Sequence, residues 1–160
     1  MIKRTILLKA LLGGISIVLL ISCLKSKPNY NYTKGISEYM YAIHKIQIDT
    51  ITNKVLYFLP ISECVSCSST ELNLKMLTEL KTENLTPILI GVKTNSRFNT
   101  LSSSLKNISL LDKESKIYMY ETGVLKPLLL HIKNGKVIHF FNVDDNKIEE
   151  ARKYLIQYEF

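Results

Sequence analysis

Two cysteines three positions apart, Cys64 and Cys67, are the residues of this chain best suited to chemistry. The spacing C-x-x-C serves two purposes: a dithiol that closes to a disulfide, or half of a metal site. A structural zinc site takes four ligands. There is no second C-x-x-C, and His44, His131 and His139 are the only histidines, none close to another in sequence. No metal site is therefore assigned, and a redox pair is the better reading. The histidines read as ordinary strand or surface residues.

A redox pair needs a particular setting. Val55 to Leu59 is a continuous apolar run, short enough for a strand buried on both faces, and Pro60 ends it. Ile61-Ser62-Glu63 reads as a turn with Ser62 as a helix cap. From Val65 to about Glu83 the pattern is helical: Leu72, Met76 and Leu80 recur every four residues with Leu77 beside them, and Glu71, Lys75 and Glu79 fall on another face. Cys64 then stands where a strand gives way to a helix. The free N–H groups and dipole of that helix end stabilise a thiolate, lowering its pKa from about 8.5 into a range of about 3.5–7.5. Cys67 comes about one turn later, within reach for a disulfide. Cys64 can attack a substrate disulfide, and Cys67 can resolve the mixed disulfide; the reverse sequence oxidises a substrate. A purely structural disulfide closing so short a loop adds little stability.

The remaining elements must support this unit. Tyr32 to Asp49 has apolar residues at mixed spacing and reads as a short helix followed by a strand. Pro87 to Val92 is a second buried strand. Thr94 to Asn107 is polar and serine-rich, a loop with a helix, and Ile108 to Leu111 a short extended piece. Lys116 to Thr122 reads as a short helix closed by Gly123. Pro127 to Ile132 and Val137 to Phe141 form a hairpin around Lys133-Asn134-Gly135-Lys136, since Asn-Gly tolerates the positive φ angles of a type I′ turn. Asp144 or Asp145 caps a last helix whose apolar stripe is Ile148, Ala151, Leu155 and Tyr158. Strands alternating with helices, then a hairpin, predict an α/β fold: a central mixed sheet with a parallel core, flanked by helices.

The third cysteine lies in a different context. Met1-Ile2-Lys3-Arg4 is a basic start, Ile6 to Leu20 is largely apolar, and Leu20-Ile21-Ser22-Cys23 comes next. This is the order of a secretory signal. The last four residues also resemble the bacterial lipobox, which implies lipidation of Cys23 and cleavage before it. Lys9 shortens the uninterrupted apolar run below the ~20 residues of a comfortable membrane span. A plain N-terminal anchor, with Cys23 incidental, is the other reading. Both place the domain outside the cytoplasm and tethered to a membrane. The expected organisation is a signal peptide over 1–22, a polar tether over 23–31 and one domain over 32–160, about 130 residues and large enough for a real core.

Composition narrows the classes further. Aliphatic residues are plentiful while Gly and Pro are few, which excludes disorder and collagen-like repeats. Of the net charge of +7, three units come from Lys3, Arg4 and Lys9. The other lysines are scattered, so no nucleic-acid surface is expected.

Taken together, the strand, Cys64-Val65-Ser66-Cys67 and the helix resemble the active-site unit of the thioredoxin superfamily. Thr122-Gly123-Val124-Leu125-Lys126-Pro127-Leu128-Leu129-Leu130 is similar to the family's stretch ending in a cis-proline, and Lys133-Asn134-Gly135 to its hairpin turn. The similarity spans about Val55 to Tyr158. It implies a thioredoxin-like fold, thiol–disulfide oxidoreductase activity at Cys64 and Cys67, and no cofactor. It also implies a cis Pro127 packed against the cysteines, with the backbone at Lys126 pairing with an extended substrate. Resemblance to membrane-tethered thioredoxin-like lipoproteins implies a reductase of envelope proteins that carry disulfides or thiols, fed by a membrane electron donor and facing the periplasm or the exterior. The residues themselves leave the direction open.

There are departures. Glu63 replaces the aromatic residue before the nucleophile, and its charge raises the Cys64 pKa against the helix effect. The family's buried acid corresponds by spacing to Phe58. Two other readings attach to the same cysteines. Pro60 and Cys67 have the spacing of a peroxiredoxin's Pro-x-x-x-Thr-x-x-Cys, but Cys64 occupies the threonine position. A copper-delivery protein would use two thiolates on Cu(I), but those relatives generally carry a wider C-x-x-x-C.

Overall fold

A computed structural model describes residues 32–61, 68–80 and 82–158. Five strands make one mixed sheet. The elements in chain order are α1 (Tyr32–His44), β1 (Asn53–Pro60), α2 (Ser68–Glu79), β2 (Leu85–Ile90), α3 (Ser96–Ser104), β3 (Leu110–Asp112), β4 (Leu128–Lys133), β5 (Lys136–Asn142) and α4 (Ile148–Gln157), with short 3-10 turns at Ile48–Thr50, Lys116–Met119 and Asp145–Lys147. The strand order is β3-β2-β1-β4-β5. β1 pairs in parallel with β2, and β2 with β3; β4 lies antiparallel to β1, and β5 to β4. A parallel core with an antiparallel hairpin on one side is what the element order predicts, and the fold is α/β with a central mixed sheet flanked by helices.

β1 is central because its residues are apolar on both sides. Val55 to Leu59 are all buried. Odd positions Val55, Tyr57 and Leu59 join Leu74, Met76 and Leu77 of α2, Phe98 of α3, and Ile148, Ala151 and Leu155 of α4 in one cluster. Even positions Leu56 and Phe58 join Ile36, Tyr39 and Met40 of α1, Ile117 and Val124 in a second. The sheet thus separates two cores, as the alternation of side chains along a strand requires. A Cβ on Gly35 would stand 2.2 Å from the Glu121 carbonyl oxygen, so α1 approaches that loop as closely as only glycine allows.

Several expectations need correction. Tyr32 to His44 is one helix, ended at Lys45 by a left-handed residue (φ 59°), and Ile48–Thr50 forms a 3-10 turn rather than a strand. The helix after the cysteines stops at Glu79, not near Glu83. Leu72 is 46% exposed, whereas Asn73 is fully buried. The buried face of α2 is Thr70, Asn73, Leu74, Met76 and Leu77, rotated from the stripe drawn through Leu72. Asp144 precedes the last 3-10 turn, but its side chain makes no capping hydrogen bond. The hairpin turn is as expected, with φ of 50° at Asn134 and 72° at Gly135.

Candidate functional site

The parallel strands β1, β2 and β3 end at one side of the sheet, and this is where the chain enters the cysteine segment. Cys64 and Cys67, the proposed cap Ser62 and Glu63 lie outside the described residues, as does Cys23. Their flanks are described. On the N-terminal side, the Ile61 N–H donates to the Ile90 carbonyl at 2.8 Å, and the Ile61 carbonyl accepts from Asn95 Nδ2 at 3.5 Å. Asn95 is itself buried and caps α3, its Oδ1 accepting from the Phe98 N–H at 3.0 Å. At Gly91 an added Cβ would meet the Phe98 ring at 2.4 Å, so the end of β2 packs flush on α3.

On the C-terminal side, α2 begins at Ser68 and lies against β1. The Tyr57 hydroxyl donates to Asn73 Oδ1, and Asn73 Nδ2 donates to the Ser69 carbonyl at 2.6 Å. Both side chains are fully buried, and burial pushes the Tyr57 phenol far above its ordinary pKa. Glu71, one turn into α2, meets Arg97 of α3 at 3.4 Å.

Pro127 and Lys126 lie at the same end. Phe58 pairs with Leu128 across the antiparallel β1–β4 ladder, so Pro127 leads into β4 beside the end of β1. The Pro127 carbonyl accepts from the Val143 N–H at 2.7 Å, fixing this corner to the strand that returns. Lys126 is exposed, and Leu125 is 78% exposed. No peptide bond among the described residues is cis. The implied cis Pro127 is therefore corrected: the bond is trans, the form an X–Pro bond prefers by about 0.5–1 kcal/mol.

Phe58 holds the position that corresponds by spacing to the family's buried acid. It is buried on the α1 face of the sheet. Odd positions face α2, and the polar group among them is Tyr57. Neither Tyr57 nor Asn73 was singled out from the sequence. A signal was present in Asn73, since an asparagine inside a helix is a poor helix former and must be held by something.

No family model and no curated protein matches the chain. Solved structures do resemble it. One is an uncharacterized thioredoxin-like protein from Porphyromonas gingivalis (14% identity, 68% of this chain and 76% of that one, TM-score 0.42). Another is a secreted Mycobacterium tuberculosis disulfide oxidoreductase described as homologous to E. coli DsbE (14%, 66% and 81%, TM-score 0.44). A third is StoA from Bacillus subtilis (11%, 64% and 81%, TM-score 0.41).

Away from this end, His131 of β4 is buried with both ring nitrogens bonded: Nε2 to Asn53 Oδ1 and Nδ1 to the Tyr154 hydroxyl, each at 2.7 Å. The amide oxygen only accepts, so Nε2 carries the proton and the ring is neutral when Tyr154 donates to Nδ1. Burial, then His139 and Lys133, hold its pKa below the usual histidine value. Among the described residues no three potential metal ligands cluster, and no helix is long and apolar enough to cross a membrane.

Proposed function

We propose that this chain is a thiol–disulfide oxidoreductase that works outside the cytoplasm, held to a membrane by lipid on Cys23, with Cys64 and Cys67 as its redox pair. The observation that carries this reading is positional. A C-x-x-C lies between the end of the central strand and the start of α2, in a thioredoxin-like sheet whose β4 begins with Pro127 at the same end.

The chemistry balances without a cofactor. The Cys64 thiolate attacks one sulfur of a substrate disulfide, forming a mixed disulfide and releasing the other sulfur as a thiol. Cys67 attacks the Cys64 sulfur, forming the Cys64–Cys67 disulfide and releasing the second substrate thiol. Two electrons pass to the substrate, and a membrane electron donor returns the pair to the dithiol. The backbone at Lys126, beside Pro127, is the place for an extended stretch of substrate to pair. The substrates are envelope proteins with disulfides, and the direction is reducing.

A trap tests the reading. With Cys67→Ser in the full-length chain, mixed disulfides should accumulate on Cys64 and be absent from Cys64→Ser. If neither single-cysteine variant captures a partner, and purified wild type reduces no disulfide but binds Cu(I) through both thiols, the protein is a metal carrier instead. Mass measurement of the mature N-terminus tests the anchor: an unmodified Cys23 ends that part of the proposal.

A further inference from the structure

The last helix meets the sheet through a seam of rings that contains two histidines. His131 of β4 and His139 of β5 are direct cross-strand partners. Tyr154 of α4 joins both: its hydroxyl lies 2.7 Å from His131 Nδ1, and its ring stacks on His139 with centroids 4.6 Å apart. Phe141 and Tyr158 complete the seam, Tyr158 meeting the His131 ring edge-on at 5.1 Å. His131 Nε2 is committed to Asn53 of β1. An open recess of about 300 Å³ beside Tyr154, lined by His139, Phe141, Glu150, Lys153, Tyr154 and Gln157, lets protons reach the seam from solvent.

Histidine is the side chain that gains charge between about pH 8 and pH 5. A second proton on His131 goes to Nδ1, where Tyr154 can then no longer donate. The charged ring is buried, and most charges around it share its sign. Lys133 follows on β4, with Lys136 opposite it on β5; His139 faces from β5 and Lys153 from α4. β1 offers the neutral Asn53. Glu150 and the carbonyl end of α4 favour the charge. The balance is against it: burial first, then His139 and Lys133, hold the His131 pKa below its ordinary value. Like charges directly opposed on paired strands repel. Of the parts in contact, α4 is the one able to yield. β4 is bonded through its backbone to β1 on one side and β5 on the other. α4 is held by side chains: Ile148, Ala151 and Leu155 in the core, Arg152 on Glu79, and the ring seam. We infer that His131, His139 and Tyr154 form a pH-sensitive latch, which holds the last turns of α4 on the sheet while the rings are neutral and releases them on acidification with the strands still paired. A ring that is charged more readily in water than in the seam favours the open form as pH falls below about 6.5.

Amide hydrogen exchange of the full-length chain, followed residue by residue by NMR and corrected for intrinsic rates, tests the latch. Between pH 7.5 and pH 5 the protection of amides 152–157 should fall roughly fivefold or more, while that of amides 128–132 holds. His131→Gln should flatten the response, and His139→Gln, at an exposed position, should reduce it. Protection that falls equally in helix and strands, or that does not fall in the helix, overturns the inference. So does a response that persists in full in His131→Gln or, should that variant not fold, in His139→Gln.

Discussion

His131 shows how a residue that reads as an ordinary strand histidine can become a pH-sensitive part of the fold. Its two ring nitrogens are committed to Asn53 and Tyr154, and its pKa is lowered by burial first, then by His139 and Lys133. His44 is lowered as well, by burial, with Asp112 opposing. A folded-state pKa below the unfolded one means that the unfolded chain takes up the proton first. The stability gained by keeping the ring neutral is complete above the ordinary value of about 6.5 and is lost as pH falls from there through the depressed folded value. The urea midpoint should therefore be lower at pH 5 than at pH 7.5, and His131→Gln should shrink that difference. An undiminished difference in the variant would remove His131 as a source. At this scale the sequence was only partly legible: residue type made Cys64 and Cys67 candidates, which lie outside the described residues, and nothing local told that His131 has partners 78 and 23 positions away.

Elements were read better than faces. The strand at Val55 to Leu59, the Asn134-Gly135 turn and the stripe of α4 were all visible, because a continuous apolar run, a positive-φ dipeptide and a 3.6-residue period are local signals. The face of α2 was misjudged because leucine dominates any hydrophobic pattern, and an asparagine carries no weight in one. The burial of Asn73 depends on Tyr57, a partner on another element. The corrected face makes a sharp contrast. Leu77→Ala should cost about 2–5 kcal/mol in urea unfolding. Leu72→Ala, at a position 46% exposed, should stay within about 0.5 kcal/mol. Equal costs would restore the original stripe.

For the whole molecule, both cores draw, among the described residues, on Ile36 and later positions. A chain beginning at Tyr32 should unfold in one cooperative transition with a midpoint close to that of the longer chain. A broad or absent transition, monitored by circular dichroism, would show that earlier residues are part of the folding unit. The candidate site was legible at this scale through order alone: strand, cysteines, helix, then a proline before a hairpin. The trans geometry at Pro127 was not, because an isomer is chosen by tertiary surroundings rather than by the residue itself.

The pairing of β1 with β4 also has a consequence in time. Leu56 lies beside Leu130, and Asn53 beside Lys133, so the strand that leads into the cysteines is closed on one side only by chain made much later. A growing chain contains both cysteines well before β4 exists to complete the sheet, and contacts of such long sequence separation form slowly. Until then an oxidant can reach Cys64 and Cys67 with no folded framework to govern the outcome. The order of synthesis thus leaves an interval in which the sheet beside the cysteine segment is incomplete, and that interval ends when β4 docks against β1.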